Sequence, residues 1–427
     1  MVEITMGNVW EDLGFTGNPY DPRALSISDE DRKLLIDRTD ELRMLTTLAN
    51  SGSRGIIIVE GGIGVGKTSL VNAMQYDLLH QKKNKILPAF QKIELTNDNI
   101  EPKSFTLSTF SNMIFSLEKL TNTDLAKQTG ILKEGKLLVA QTIQSGFAGN
   151  LQAFGFGGGM SRSPSTSQPA AVTLPAILNT MDRWVEYVSK NTEYDGPAVI
   201  PVNNMDVLDD KEIVSFLNSM RDTIIDRPHI VWILIGRKGL FSLLESEARR
   251  VSEIITGQPV VLQPLTLQDV YNAIKVRIEL LSRDKKSRDS VVSDEIVKIL
   301  YDTSQGEIRY VFKRITDIIL RFRGQFPSIS KIPLDVAKSM IIDFAKSRID
   351  ALNLSPKEIA VLKNIVKKGS MRTREYQSVG LQTPQALNKY LASFYKQNLV
   401  VKEYGEGRAV YYRPTADTIF ALQDTTK

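Results

Sequence analysis

Apolar residues run along this chain in two rhythms. Gly55-Ile56-Ile57-Ile58-Val59-Glu60, Pro197-Ala198-Val199-Ile200-Pro201-Val202 and His229-Ile230-Val231-Trp232-Ile233-Leu234-Ile235-Gly236 are apolar at nearly every position. Such runs predict strands buried on both faces, as in a parallel sheet covered by helices. A strand near Phe90–Leu95 and a last one at Pro259–Leu262 complete the expected sheet. Elsewhere apolar residues recur three and four apart: Leu42, Leu45 and Leu48; Leu70, Val71, Ala73, Met74 and Leu78; then a helix near Leu174–Lys190. That spacing predicts amphipathic helices. From Thr266 to about Lys346 the pattern is helical only, with a stripe of Ile308, Val311, Phe312, Ile315, Ile318, Ile319 and Phe322, and predicts a separate helical subdomain.

Two stretches break the rhythm. Residues 1–34 contain Gly14-Phe15-Thr16-Gly17-Asn18-Pro19-Tyr20-Asp21-Pro22 and read as a turn-rich entry segment rather than a core element. Residues 145–169 are rich in Gly, Ser and Pro, which oppose a packed helix, and read as a flexible insertion. The interleaved Phe147, Phe154 and Phe156 leave open a contact with a partner. The expected division is an entry segment 1–34, an α/β domain 35–263, a helical subdomain 264–345 and a C-terminal domain 346–427.

Chemistry enters at the end of the first strand. Gly61-Gly62-Ile63-Gly64-Val65-Gly66-Lys67-Thr68 fits the phosphate-loop pattern G-x-x-x-x-G-K-[S/T] at every fixed position, and Ser69 follows. Strand, loop and helix stand in the required order. The glycines let several backbone N–H groups face one phosphate, and the following helix adds the positive end of its dipole. Lys67 would reach the β- and γ-phosphates, and the Thr68 hydroxyl would hold Mg²⁺. ATP with Mg²⁺ is the expected cofactor.

Composition narrows the classes. The 427-residue chain has no cysteine, which excludes disulfides, thiolate zinc sites and cysteine nucleophiles. His80 and His229 are the only histidines, too few for a histidine metal cluster. No run of about 18 apolar residues suggests a membrane span, and the acidic N-terminus does not read as a secretory signal, so a cytoplasmic protein is expected. The net charge is +5, but residues 345–427 hold 14 Lys and Arg against 7 Asp and Glu, a surplus of +7. Basic charge concentrated in one terminal segment points to a polyanion, or else to a solvated lysine-rich surface.

That segment has its own pattern. Pro356–Lys368 and Arg372–Val379 read as helices, and Thr383-Pro384 opens a third that carries Leu387, Tyr390, Leu391 and Phe394. Leu399–Tyr404 and Arg408–Arg413 around Gly405-Glu406-Gly407 form a hairpin. Three helices and a hairpin resemble a winged helix-turn-helix domain. The resemblance implies that the third helix enters the major groove of double-stranded DNA. Gln382, Thr383, Gln385, Asn388 and Lys389 would then face outward, with Arg408 in the wing on phosphate. Such domains also dock proteins, and that alternative stays open.

The order of the pieces resembles an AAA+ ATPase, in the branch of the origin-recognition initiators with transposition-regulator and STAND-type relatives. Leu35-Ile36-Asp37-Arg38-Thr39-Asp40-Glu41-Leu42 is similar to the entry motif beside the adenine, with Asp37 where glycine is usual and Arg38 matching. Gln305-Gly306-Glu307-Ile308-Arg309 is similar to the sensor 2 opening, which implies nucleotide contact for Arg309; it could equally sit on the solvated side of its helix. Leu234-Ile235-Gly236-Arg237 ends the strand that carries sensor 1 in the family, without an obvious polar sensor. Arg249-Arg250 stand where the family places an arginine finger for a neighbouring subunit, which implies ATP-dependent oligomers. One departure matters. Asn203 and Asn204 stand where the carboxylates that orient magnesium and activate water belong, and Asp206 lies too far along unless the register shifts to it, Asp209 or Asp210. An amide accepts a hydrogen bond but carries no charge and takes no proton, so binding with slow or absent hydrolysis is expected. The resemblance implies an ATP-dependent assembly switch or loader on DNA. A signalling or defence scaffold with a protein partner, and an active ATPase motor, are the alternatives.

Overall fold

The computed structural model describes residues 8–81, 85–96, 100–143, 172–284, 290–327, 329, 331–404 and 409–423. The insertion at 145–169 and Arg408 lie outside these. By its contacts the chain divides into two compact units, one of Ala24–Gly61 with Lys67–Leu262, the other of Met1–Arg23, Gly62–Gly66 and Gln263–Lys427.

The first unit is built on a six-stranded sheet. Its strands are β1 (Gly55–Gly61), β2 (Leu87–Pro88), β3 (Ile93–Glu94), β4 (Ala198–Asn203), β5 (Ile230–Arg237) and β6 (Val260–Leu262). They run in the order β2-β4-β5-β1-β6, with β3 also on β4, and every pairing is parallel. Every residue of β1 is buried, as are all but the last of β4 and of β5. This is why the apolar runs show no alternation: helices cover both faces. The strand expected near Phe90–Leu95 is only the two-residue β3; a second short strand, β2, precedes it, and both pair with β4. Helices Thr39–Ser51, Lys67–His80, Pro102–Thr121, Gly130–Thr142, Leu174–Asn191 and Asp210–Met220 pack around the sheet. One continuous core holds Phe105 against Trp232 at 5.4 Å and Phe110 edge-on to Trp184 at 5.8 Å.

In the second unit, the helical pattern after Thr266 becomes helices Leu267–Leu281, Asp294–Ser304, Ile308–Gln325 and Leu334–Asp350. The structure corrects the entry segment: residues 8–23 lie in this unit and contribute to its core, whereas Ala24 onward belongs to the first unit. Phe15 and Tyr20 are 1% and 0% exposed, the Tyr20 hydroxyl meets Ser290 Oγ at 3.0 Å, and Asn18 donates to Thr316 at 3.1 Å. The turn residues mark the path of the backbone, but two aromatics at its bends do the burying, and no local periodicity reports that.

The C-terminal part has helices Pro356–Lys368 and Pro384–Lys396 with a 3₁₀ turn, Thr373–Val379, where a short helix was expected. Strands β7 (Val400–Tyr404) and β8 (Val410–Pro414) pair antiparallel, and Met371 bridges to Tyr412 through backbone bonds of 2.9 and 2.8 Å. Leu362, Ile365, Leu387, Leu391 and Phe394 form its core. These elements stand in the order of a winged helix-turn-helix. A further helix, Ala416–Leu422, closes the chain; the sequence reading contained no such element. It carries Asp417, buried beneath Arg314, Arg348 and Tyr310 of the long helices.

Candidate nucleotide site

The phosphate loop leaves the C-terminal end of β1, an interior strand between β5 and β6, and Lys67 and Thr68 open the helix Lys67–His80. Ligands of open parallel sheets sit outside the carboxyl ends of the strands. Gly64 and Gly66 have φ of +71° and +99°, a region that glycine enters freely. Lys67 Nζ lies 3.0 Å from the Gly61 carbonyl oxygen, so the ammonium is folded over the loop. Ile63 is 54% exposed, and Ser69 accepts from the Leu25 N–H at 3.1 Å.

Within the unit that contains Gly62–Gly66, the apex of the loop lies against the start of the helix Ile308–Gln325. A Cβ built at Gly64 would come 2.6 Å from Glu307 Cγ and 3.1 Å from Arg309 Cβ, so Arg309 does stand beside this glycine. Burial pushes the Glu307 carboxyl above its ordinary range, against the opposing pull of Arg413 and Arg309.

Next to the loop, β4 ends at Asn203, whose Oδ1 accepts from the Thr68 hydroxyl at 3.4 Å. Asn203 Nδ2 donates to Glu94 Oε2 at 2.9 Å, because β3 pairs with β4 in a register that sets Glu94 beside Asn203. Thr68 and Asn203 therefore offer two hard oxygen donors at one place, with a carboxylate behind them. That donor chemistry fits Mg²⁺ carried in on nucleotide phosphates. Among the described residues no cluster of three or more His, Asp or Glu could hold a metal ion without such help.

The other carboxylates considered for this role are engaged elsewhere. Asp206 accepts the Arg237 backbone N–H at 2.7 Å, Asp209 caps the helix Asp210–Met220, and Asp210 pairs with Arg237. Asn204 is exposed, with φ of +61°, in a left-handed conformation that asparagine tolerates better than most residues. Glu94 was missed by sequence reasoning. Its only signal is an acidic residue at the end of a short strand, and nothing local reveals which residue it faces.

Arg38 is 6% exposed and bonds Glu41 at 2.9 Å at the start of the helix Thr39–Ser51. Asp37 has a left-handed backbone, with φ of +47°. Arg250 is held by Asp222 at 2.8 Å, whereas the Arg249 side chain is 91% exposed, 3.8 Å from Glu253. In the C-terminal part, Gln382 and Thr383, just before the helix Pro384–Lys396, and Gln385, Asn388 and Lys389 on it are all exposed. The Thr383 hydroxyl caps that helix by accepting from the Ala386 N–H at 3.2 Å. No described helix is long and apolar enough to cross a membrane.

No family model matches this chain, and a search of curated proteins finds no relative. Among solved structures, the chain is similar to an Aeropyrum pernix ORC1 protein in complex with DNA at 12% identity and TM-score 0.49, over 94% of this chain and 93% of that one. The Walker-type ATPase PABY2304 of Pyrococcus abyssi matches at 15% identity and TM-score 0.49, over 95% and 99%. A Drosophila ORC bound to DNA matches at 13% identity and TM-score 0.40, over 96% and 89%. These likenesses concern shape at low identity. With the phosphate loop at the end of β1, an interior strand of a β2-β4-β5-β1-β6 parallel sheet with helices packed around it, the chain has a P-loop fold of the AAA+ type.

Proposed function

We propose that this protein is an ATP-binding, DNA-binding assembly switch with slow or absent hydrolysis. The observation that carries the reading is the loop itself: Lys67 and Thr68 open a helix after the interior strand β1, and Asn203, not a carboxylate, stands 3.4 Å from the Thr68 hydroxyl. A site of this kind holds a nucleoside triphosphate, and Asn204, an amide that takes no proton, stands where the resemblance puts the carboxylate that activates water. Arg38 and Arg309 are the further nucleotide contacts in this reading.

The exposed side of the helix Pro384–Lys396 and the local surplus of +7 support duplex DNA as the partner. About four phosphate contacts by this part give the full chain a log–log salt slope of roughly −3.6 for duplex binding. Arg408→Ala is expected to flatten that slope by about one unit for every sequence, and Asn388→Ala to change sequence preference instead. Labelled duplexes titrated at several salt concentrations check both. Absence of salt-dependent affinity for any duplex would replace the DNA reading with a protein-docking scaffold.

Arg249 is the better placed of the two arginines to reach a neighbouring subunit, since Arg250 is paired to Asp222. ATP is expected to shift the protein to oligomers in light scattering, with ADP and nucleotide-free samples smaller, and Arg249→Ala to abolish the shift. A wild-type protein that is monomeric with ATP, with and without DNA, would sink this part.

A further inference from the structure

We propose that Glu94 and Asn203 form one carboxylate–amide unit, in which Glu94 supplies from the adjacent strand the negative charge of the magnesium site and aims the Asn203 oxygen at it. The inference rests on the nucleotide reading of the loop.

Hydrogen-bond polarity sets the orientation of the amide. A carboxylate only accepts, so Asn203 must turn its amide nitrogen toward Glu94, as the 2.9 Å contact has it. The amide is planar, and the same turn points Oδ1 the other way, to 3.4 Å from the Thr68 hydroxyl oxygen. Glu94 thus decides which end of Asn203 faces the place where phosphate-bound magnesium would sit. Without the carboxylate, the amide has no electrostatic reason to prefer that orientation.

Glu94 also supplies charge. A neutral amide beside Thr68 leaves a divalent cation without a protein anion, and Glu94 is the anion one hydrogen bond away. Its other oxygen, Oε1, is 3.2 Å from Lys92 Nζ, so Glu94 is fixed from both sides and acts through Asn203. It is a positioning residue, not a base at the water. The same geometry accounts for Asn at position 203. An aspartate there would set two carboxylates at hydrogen-bond distance, and like charges so close disfavour joint ionisation. This pair of strand ends accommodates one carboxylate, and the chain places it on β3.

The test measures ATP affinity of the full chain by calorimetry, with Mg²⁺ and with EDTA. The ratio of the two affinities is the readout. Second-layer partners of metal sites typically matter by about 10–100-fold in metal affinity, so Glu94→Gln is expected to cut the Mg²⁺ enhancement by about tenfold. Affinity in EDTA should be unchanged, which also certifies that the isosteric variant is folded. The double swap Glu94→Gln with Asn203→Asp should restore the enhancement, because the carboxylate then returns on β4. An unchanged ratio in Glu94→Gln, or a loss that the swap does not restore, overturns the proposal. Wild-type protein that binds no ATP in either condition overturns the nucleotide reading itself. Binding with an intact Glu94→Gln ratio overturns only the role of Glu94.

Discussion

Replacing Lys67 with alanine is expected to lower ATP affinity by at least about 100-fold, or about 2.8 kcal/mol. Lys67 is the cation that opens the helix Lys67–His80, and its Nζ already lies over the loop at 3.0 Å from the Gly61 carbonyl. A triphosphate in the loop would meet this ammonium at the β/γ position. At about 4 Å and an effective dielectric near 20, one such charge pair is worth about 4 kcal/mol, before the second and third phosphate charges are counted. Part of that is spent on desolvation, which sets the lower figure. The variant removes no core atom, so its fold should persist. Calorimetry in Mg²⁺ and in EDTA is the check, and a folded variant with affinity within about threefold of wild type would mean that the loop is not the site.

The other large effect is on stability. Asp417→Ala is expected to destabilise the unit that holds residues 263–427 by about 3–5 kcal/mol. Asp417 is 3% exposed and accepts from Tyr310 at 2.7 Å, from Arg348 at 2.6 Å, and from Arg314. It joins helices Ile308–Gln325, Leu334–Asp350 and Ala416–Leu422. Removing it strands the Arg314 guanidinium, whose side chain is 10% exposed, without its buried counter-charge. Arg348, at 41% exposure, is better screened and contributes less. Burial by itself would raise the Asp417 carboxyl, but Arg314, the Tyr310 hydroxyl and Arg348 override it and hold it below the ordinary carboxylate range. Its stabilising contribution is therefore complete above the usual aspartate range and is lost as pH falls through its depressed value. Urea unfolding at neutral and acid pH measures both: a shift under about 1 kcal/mol at neutral pH would contradict the assignment.

The two effects were not equally visible in the sequence. Lys67 could be placed from order alone, because strand, glycine-rich loop and helix are consecutive and each imposes its own local pattern. The strands β1, β4 and β5 were legible for the same reason: a run of six to eight residues apolar at nearly every position has only a doubly covered sheet to occupy. The exposed side of the helix Pro384–Lys396 followed from helical spacing once Leu387, Leu391 and Phe394 were turned inward. Asp37 was noted as a departure from glycine, yet its left-handed backbone could be known only from coordinates.

Asp417 lies on a seven-residue helix too short to announce itself by periodicity, and its three partners are 69 to 107 residues away. Phe15 and Tyr20 sit among turn signals, and what buries them arrives some 270 residues later. Glu94 faces Asn203 only because two short strands pair in one register out of several that their lengths allow. By itself, the sequence determined the long helices, the buried strands and the phosphate loop, since spacing and backbone preference act over a few residues. Only the tertiary structure decided which carboxylate stands behind Asn203 and what holds the helical unit together. Both depend on contacts between distant segments, where burial and charge pairing act through space and leave no mark on neighbouring positions.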